Sequence, residues 1–185
     1  MMSGTHVENV ESEISAMNPN SVNSIGPDDI ENCPECGATI DRRRVGCQAL
    51  MDALHIQALS DPKLGRVYRL AFDTYCMQHV ETYCRSAKSY AAHLTALCCG
   101  LEHGGDAAIY AAIQRWLNGN VPLEKPAILS ERGSITVADI HIIEDVDEQI
   151  KRIPEWARSV WDAYQSQHEI ARNWIQVARF RKVSR

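Results

Sequence analysis

No stretch of this 185-residue chain approaches the ~18 consecutive apolar residues of a membrane span, so no transmembrane helix is expected. The first residues lack a basic run followed by an apolar one, and a secretory signal is not expected either. The patterns GxxxxGK(S/T), GxSxG and HExxH are absent, which removes the common signatures of phosphate-loop, serine-hydrolase and zincin chemistry. Alternation of apolar and polar residues, the mark of a half-buried strand, is nowhere sustained. Positive charge is missing from residues 1–32, where Glu8, Glu11, Glu13, Asp28, Asp29 and Glu31 stand against no lysine or arginine. Six of the 24 acidic residues therefore lie in this segment, and the other 18 meet all 19 basic ones, leaving the rest of the chain at +1. A nearly neutral body argues against nucleic-acid binding, which needs clustered positive charge to neutralise phosphates. The basic residues Arg179, Arg181, Lys182 and Arg185 read instead as a solvated helix end, placed where the helix dipole is negative.

What the chain does have is cysteine, at positions 33, 36, 47, 76, 84, 98 and 99. The count is odd, and the adjacent pair Cys98-Cys99 makes a poor disulfide framework. Reduced thiols in the cytoplasm are expected, and there a Cys-x-x-Cys reads as metal or redox before disulfide. A redox role would want the motif at a helix start after a strand, and nothing before Cys33 looks like that strand.

The composition divides the chain in two. Residues 1–30, rich in Ser, Asn and Glu with single hydrophobics, read as a disordered or loosely attached acidic leader. Residues 31–182 read as one helical domain that opens on a metal knuckle. A first helix is expected from Cys47 to about residue 59. Asp61-Pro62 then offers an N-cap and a first-turn proline, and Val67, Tyr68, Ala71, Phe72, Tyr75 and His79 share one broad face. Ala87, Tyr90, Ala91, Leu94, Leu97, Cys98 and Leu101 make the clearest buried stripe, with His93 at its edge. Gly104-Gly105 ends that helix and Asp106 starts another. Residues 118–134 read as a long loop, and Thr136 with Asp139 starts the next helix. Pro154 is expected to open a last helix running to Phe180, whose core face carries Trp156, Val160, Ala163, Ala171 and Trp174. The trio Trp156, Trp161 and Trp174 is at helical spacing and reads as core. The whole is an all-α bundle of about five to six helices.

Cys33-Pro34-Glu35-Cys36-Gly37 is the strongest local signal, because two thiolates at this spacing can close on one Zn²⁺. A tetrahedral site needs two more ligands. Cys47 is the nearest candidate, and His79 the fourth, since it ends an apolar helical face instead of pointing to water. A second set is His79, His93 and His168, each beside the apolar face of a different helix, as in metal sites built inside bundles. Three imidazoles could leave a position open for activating water.

The order of "CPECGA", "GCQALMDAL", "GRVYRLAFDTYCMQH", "AAHLTALCCGLEHG", "TVADI" and "WARSVWDAYQSQHEIARNW" resembles a family of small bacterial proteins classed as a domain of unknown function. The resemblance spans residues 33 to about 174. Cys33, Cys36, Cys47, His79, His93 and His168 match the pattern of that family, and the resemblance implies no activity. The chain departs from the family pattern at Val80-Glu81, where Pro-Gly is usual, and at Gln167-His168, where a doubled histidine is usual.

Two functional readings follow. In the first, zinc is structural and the body is a protein-interaction or regulatory module, working with a protein partner or a second copy of itself. In the second, His79, His93 and His168 surround an open metal in a hydrolase-like enzyme.

Overall fold

The computed structural model describes residues 30–41 and 43–180; most of the acidic leader and the basic residues after Phe180 lie outside the described residues. The fold is all-α apart from one short hairpin. Strand β1 (Ile30–Asn32) pairs antiparallel with β2 (Thr39–Asp41). Helices α1 (Arg43–Ser60), α2 (Pro62–Gln78), α3 (Val80–Tyr83), α4 (Ala87–Glu102), α5 (Ala107–Asn118), α6 (Val137–His141), α7 (Val146–Ala163) and α8 (His168–Phe180) follow. Six of them are longer than one or two turns. No helix among the described residues is long and apolar enough to cross a membrane.

The bundle is organised around α2, which touches α1, α4 and α7, while α8 packs on α4 and α5. The start of α2 is set locally, since the Asp61 carboxylate accepts from the backbone N–H groups of Lys63 and Leu64 and Pro62 occupies the first turn. Its end is set by burial. Every residue from Asp73 to Gln78 is buried, so the last turns have neighbours on all sides. Three of these residues are polar, and each has a partner within the bundle. The Thr74 hydroxyl donates to the Leu70 carbonyl at 2.7 Å. Asp73 meets His93 at 2.9 Å. The Gln78 amide donates to the carbonyls of Arg132 and Ile135 at 3.0 and 2.9 Å and accepts from Trp156 Nε1 at 2.9 Å. The other starts follow the same local rule. Ser86 and Ser89 cap α4 reciprocally, Asp106 caps α5, and Asp139 accepts from the Thr136 N–H at 2.7 Å. The three tryptophans read as core are buried.

Four boundaries differ from the sequence reading. A two-stranded hairpin, which the sequence reading did not expect, frames the knuckle before α1, because its three residue pairs suffice when α1 covers them. Ile30, assigned to the leader, belongs to this hairpin. Helix α1 begins at Arg43, so Cys47 sits one turn inside it rather than at its mouth. The last helix is two. Helix α7 starts at Val146, where the Asp145 carboxylate accepts from the Glu148 N–H at 2.9 Å, and runs through Pro154. A proline there costs roughly 3 kcal/mol, which the burial of Ile153, Trp156, Ala157 and Val160 on both sides offsets. The chain then breaks at Tyr164, whose hydroxyl donates to the Met77 carbonyl at 2.7 Å, and makes a 3-10 turn (Gln165–Gln167) before α8. In that turn Gln167 accepts from the Tyr90 hydroxyl at 2.6 Å and donates to the Ala127 carbonyl at 2.9 Å, bonds that a continuous helix would not place.

Candidate metal centre

The hairpin loop is built by the chemistry of its own residues. The Cys33 N–H donates to the Ala38 carbonyl at 2.8 Å and the Gly37 N–H donates to the Cys33 carbonyl at 2.9 Å. Gly37 has φ +75°, a conformation that L side chains rarely adopt, and the reversal depends on it. The turn brings Cys33 and Cys36 to one side, facing α1 and the end of α2. Cys47 arrives from α1. His79 arrives from the residue after α2, where φ −118° and ψ 53° leave helical geometry and point the next segment into α3.

The donor atoms of Cys33, Cys36, Cys47 and His79 all lie within 4.8 Å of one another. Cys36 Sγ is 3.5 Å from Cys47 Sγ, and Cys33 Sγ is 3.6 Å from His79 Nε2. A tetrahedral ion with zinc-like bonds would hold two sulfurs about 3.8 Å apart and a sulfur and nitrogen about 3.5 Å apart. The spacings match that shell, and the four residues could hold a metal ion. Cys47 and His79 are 0 % exposed and Cys33 is 2 %, while Cys36 is part-buried, so three of the four donors are shielded from bulk water. The His79 ring is oriented from behind. Its Nδ1–H donates to the Tyr75 carbonyl at 2.9 Å, which leaves Nε2 as the free donor toward the sulfurs. The Tyr75 ring stacks on the imidazole with centroids 4.0 Å apart.

The electrostatics separate this cluster from the other thiols. Burial pushes Cys84 and Cys98 up to about 12 and Cys99 up to about 11, so these remain inert packing groups. Cys33 moves the other way, held far below the thiol range by hydrogen bonds from Cys36 first and Cys47 next. Cys47 rises, because it keeps its proton to donate to Cys33 and Cys36. Burial works to lower His79, but hydrogen bonds to Cys33 and Cys36 outweigh it and raise the imidazole to about 9. The cluster concentrates negative charge on sulfur beside protons that a bound cation would displace.

A second layer, which the sequence reading missed, frames the centre. Glu35, between the two hairpin cysteines, is 7 % exposed and turns its carboxylate onto the start of α3. It accepts from the Glu81 N–H at 3.0 Å, the Thr82 N–H at 3.4 Å and the Thr82 hydroxyl at 2.7 Å. Arg132, also 7 % exposed, comes from the loop between α5 and α6. Its guanidinium donates to both Glu81 carboxylate oxygens at 2.8 and 2.6 Å, and to the carbonyls of Gln78 at 3.1 Å and Glu35 at 3.4 Å. The position of Glu35 inside Cys-x-x-Cys was in plain view. Nothing in the sequence pairs it with an arginine 97 residues away.

The second histidine set is not brought together. Among the described residues the one cluster with metal-ligand geometry is the cysteine–histidine set. His93 directs Nδ1 to the buried Asp73 carboxylate at 2.9 Å and meets Phe72 edge-on. His168 directs Nε2 to the Trp161 carbonyl at 2.7 Å and stacks on the Trp161 ring with centroids 3.8 Å apart. Each of these imidazoles is committed to its own structural partner. The reason lies in the helix faces: being on an apolar face fixes a direction toward the core, not the depth or the neighbour.

A family model matches residues 31–165, and the chain belongs to that family, a family of unknown function (DUF5946). No curated protein and no solved structure matches the chain.

Proposed function

We propose that this chain is a zinc-binding helical protein in which the metal is a structural clasp and the body is a protein-interaction or regulatory module. The observation that carries the reading is the donor set, three thiols and one imidazole from three separate elements, at tetrahedral spacing with three of the four residues buried. Such a shell leaves no coordination position for a substrate or water, and its binding free energy stabilises the fold. Soft sulfur donors with one imidazole favour zinc over hard cations such as magnesium or calcium. Cys33, Cys36, Cys47 and His79 would each supply one donor, tying the hairpin to α1 and to the end of α2. A reducing compartment such as the cytoplasm would keep these thiols ready as ligands.

The test is to purify the protein without added metal, quantify bound zinc, and record X-ray absorption on the intact chain. About one zinc per chain with three sulfur neighbours and one nitrogen is expected. Cys33→Ser should lose the metal and much of the cooperative unfolding transition, while His168→Ala keeps the metal. A nitrogen-rich shell with a bound water, or zinc retained in full by Cys33→Ser, would sink the proposal.

A further inference from the structure

The loop between α5 and α6, residues 119–136, is fastened at one end to the two segments that carry metal-centre ligands. Arg132 is the fastener. It donates to the backbone carbonyls of Glu35, which lies between Cys33 and Cys36, and of Gln78, which precedes His79. Its fork also grips Glu81, two residues after His79. The Gln78 side chain returns the contact by donating to the carbonyls of Arg132 and Ile135. Next in the chain, Gly133 lies so close to α7 that a Cβ there would stand 2.9 Å from the backbone of Ser159 and Val160. The loop therefore cannot shift at this end without moving the hairpin turn or the turn after α2. Arg132 touches none of the four ligand side chains in these contacts.

We infer that Arg132 is a positioning residue for the metal centre, and that metal affinity and the order of the 119–136 loop are coupled through it. The inference rests on the metal-clasp reading above. Its physical basis is that the hairpin cysteines and His79 come from segments more than 40 residues apart, whose relative placement one guanidinium braces through the carbonyls of Glu35 and Gln78. Any coupling of this kind is reciprocal. A bound metal fixes the carbonyls and carboxylate that hold Arg132, and a held Arg132 keeps the ligand segments at binding distance in the metal-free protein. A lysine cannot substitute, because one ammonium on a flexible stem cannot grip both Glu81 oxygens and two carbonyls in fixed directions.

Trypsin reads the loop directly. Within 119–136 the basic residues are Lys125, which precedes Pro126 and resists trypsin, and Arg132. The experiment compares the full-length wild type, Arg132→Lys and Glu124→Ala, a loop control whose side chain is exposed. Zinc affinity is measured by competition with a chromophoric chelator, and cleavage after residue 132 is timed on the zinc-loaded proteins. Arg132→Lys is expected to weaken zinc about tenfold, the scale of outer-shell substitutions, and to be cut after residue 132 several-fold faster while still holding one zinc. The control should match the wild type in both. Wild-type zinc affinity in Arg132→Lys would overturn the inference and leave the clasp intact. A wild type that holds no zinc would instead overturn the clasp, and the inference with it.

Discussion

Gln78→Met is the substitution that tests how the bundle is held together at its centre. Gln78 is 0 % exposed, and its amide makes three hydrogen bonds, to the carbonyls of Arg132 and Ile135 and from the Trp156 indole. Methionine keeps the volume and the unbranched stem, so cavity and strain effects stay small. What is lost is polar pairing. The Arg132 carbonyl and the Trp156 indole are buried and the Ile135 carbonyl is part-buried, and each left without its bond costs about 1–1.5 kcal/mol. The more apolar methionine recovers about 1 kcal/mol of that. A net loss of about 3 kcal/mol follows, which for a chain of this size lowers the melting temperature by about 6–12 °C. The assay is urea and thermal unfolding of the metal-loaded protein, followed by tryptophan fluorescence and far-ultraviolet circular dichroism. A variant within about 0.5 kcal/mol of the wild type, the range of ordinary surface changes, would refute the reasoning. It would mean that the indole and the two carbonyls are satisfied by other groups and that Gln78 does not fix the loop.

Two further outcomes can be checked on the same material. His93→Ala removes the 2.9 Å partner of the buried Asp73 carboxylate and, among the described residues, leaves Arg69 at 3.9 Å as its nearest cation. A loss of about 3 kcal/mol in urea unfolding is expected, and an unchanged midpoint would show that the pair contributes nothing. At Glu81 the hydrogen bond from Arg132 leads in lowering the carboxyl from 4.5 to about 2. A depressed carboxyl contributes stability that is full above its unfolded value and is lost as pH falls from 4.5 toward 2. The side chain is 46 % exposed, so solvent screening trims the effect. Glu81→Gln should flatten that part of the acid limb, and parallel wild-type and variant curves across the window would count against the ion pair.

Local physics made much of the fold legible in the sequence. The Asp61-Pro62, Asp106 and Thr136 starts, the Gly104-Gly105 stop and the stripe through Tyr90, Leu94 and Leu97 depend on residues a few positions apart. The family resemblance and the all-α class followed from the same kind of signal. Cys33-x-x-Cys36 was visible for that reason too, since its turn is closed by Gly37 and by bonds within six residues. The break at Tyr164 was not legible. It depends on Met77, Tyr90 and Ala127, which reach the segment only after the helices dock. Pro154 misled for the complementary reason, because a local rule against interior proline was outweighed by burial on both sides.

By itself, then, the sequence determined which residues could bind a metal and which helices could carry them. Thiol and imidazole chemistry belongs to the residue, and helical facing belongs to spacing along one chain segment. Only the tertiary structure decided which of the candidates meet. It brought His79 to the cysteines, gave His93 to Asp73 and His168 to Trp161, and set Glu35 and Arg132 around the centre. Those pairings join residues up to 97 positions apart. They depend on how helices pack in three dimensions, and no periodicity within a single helix encodes that.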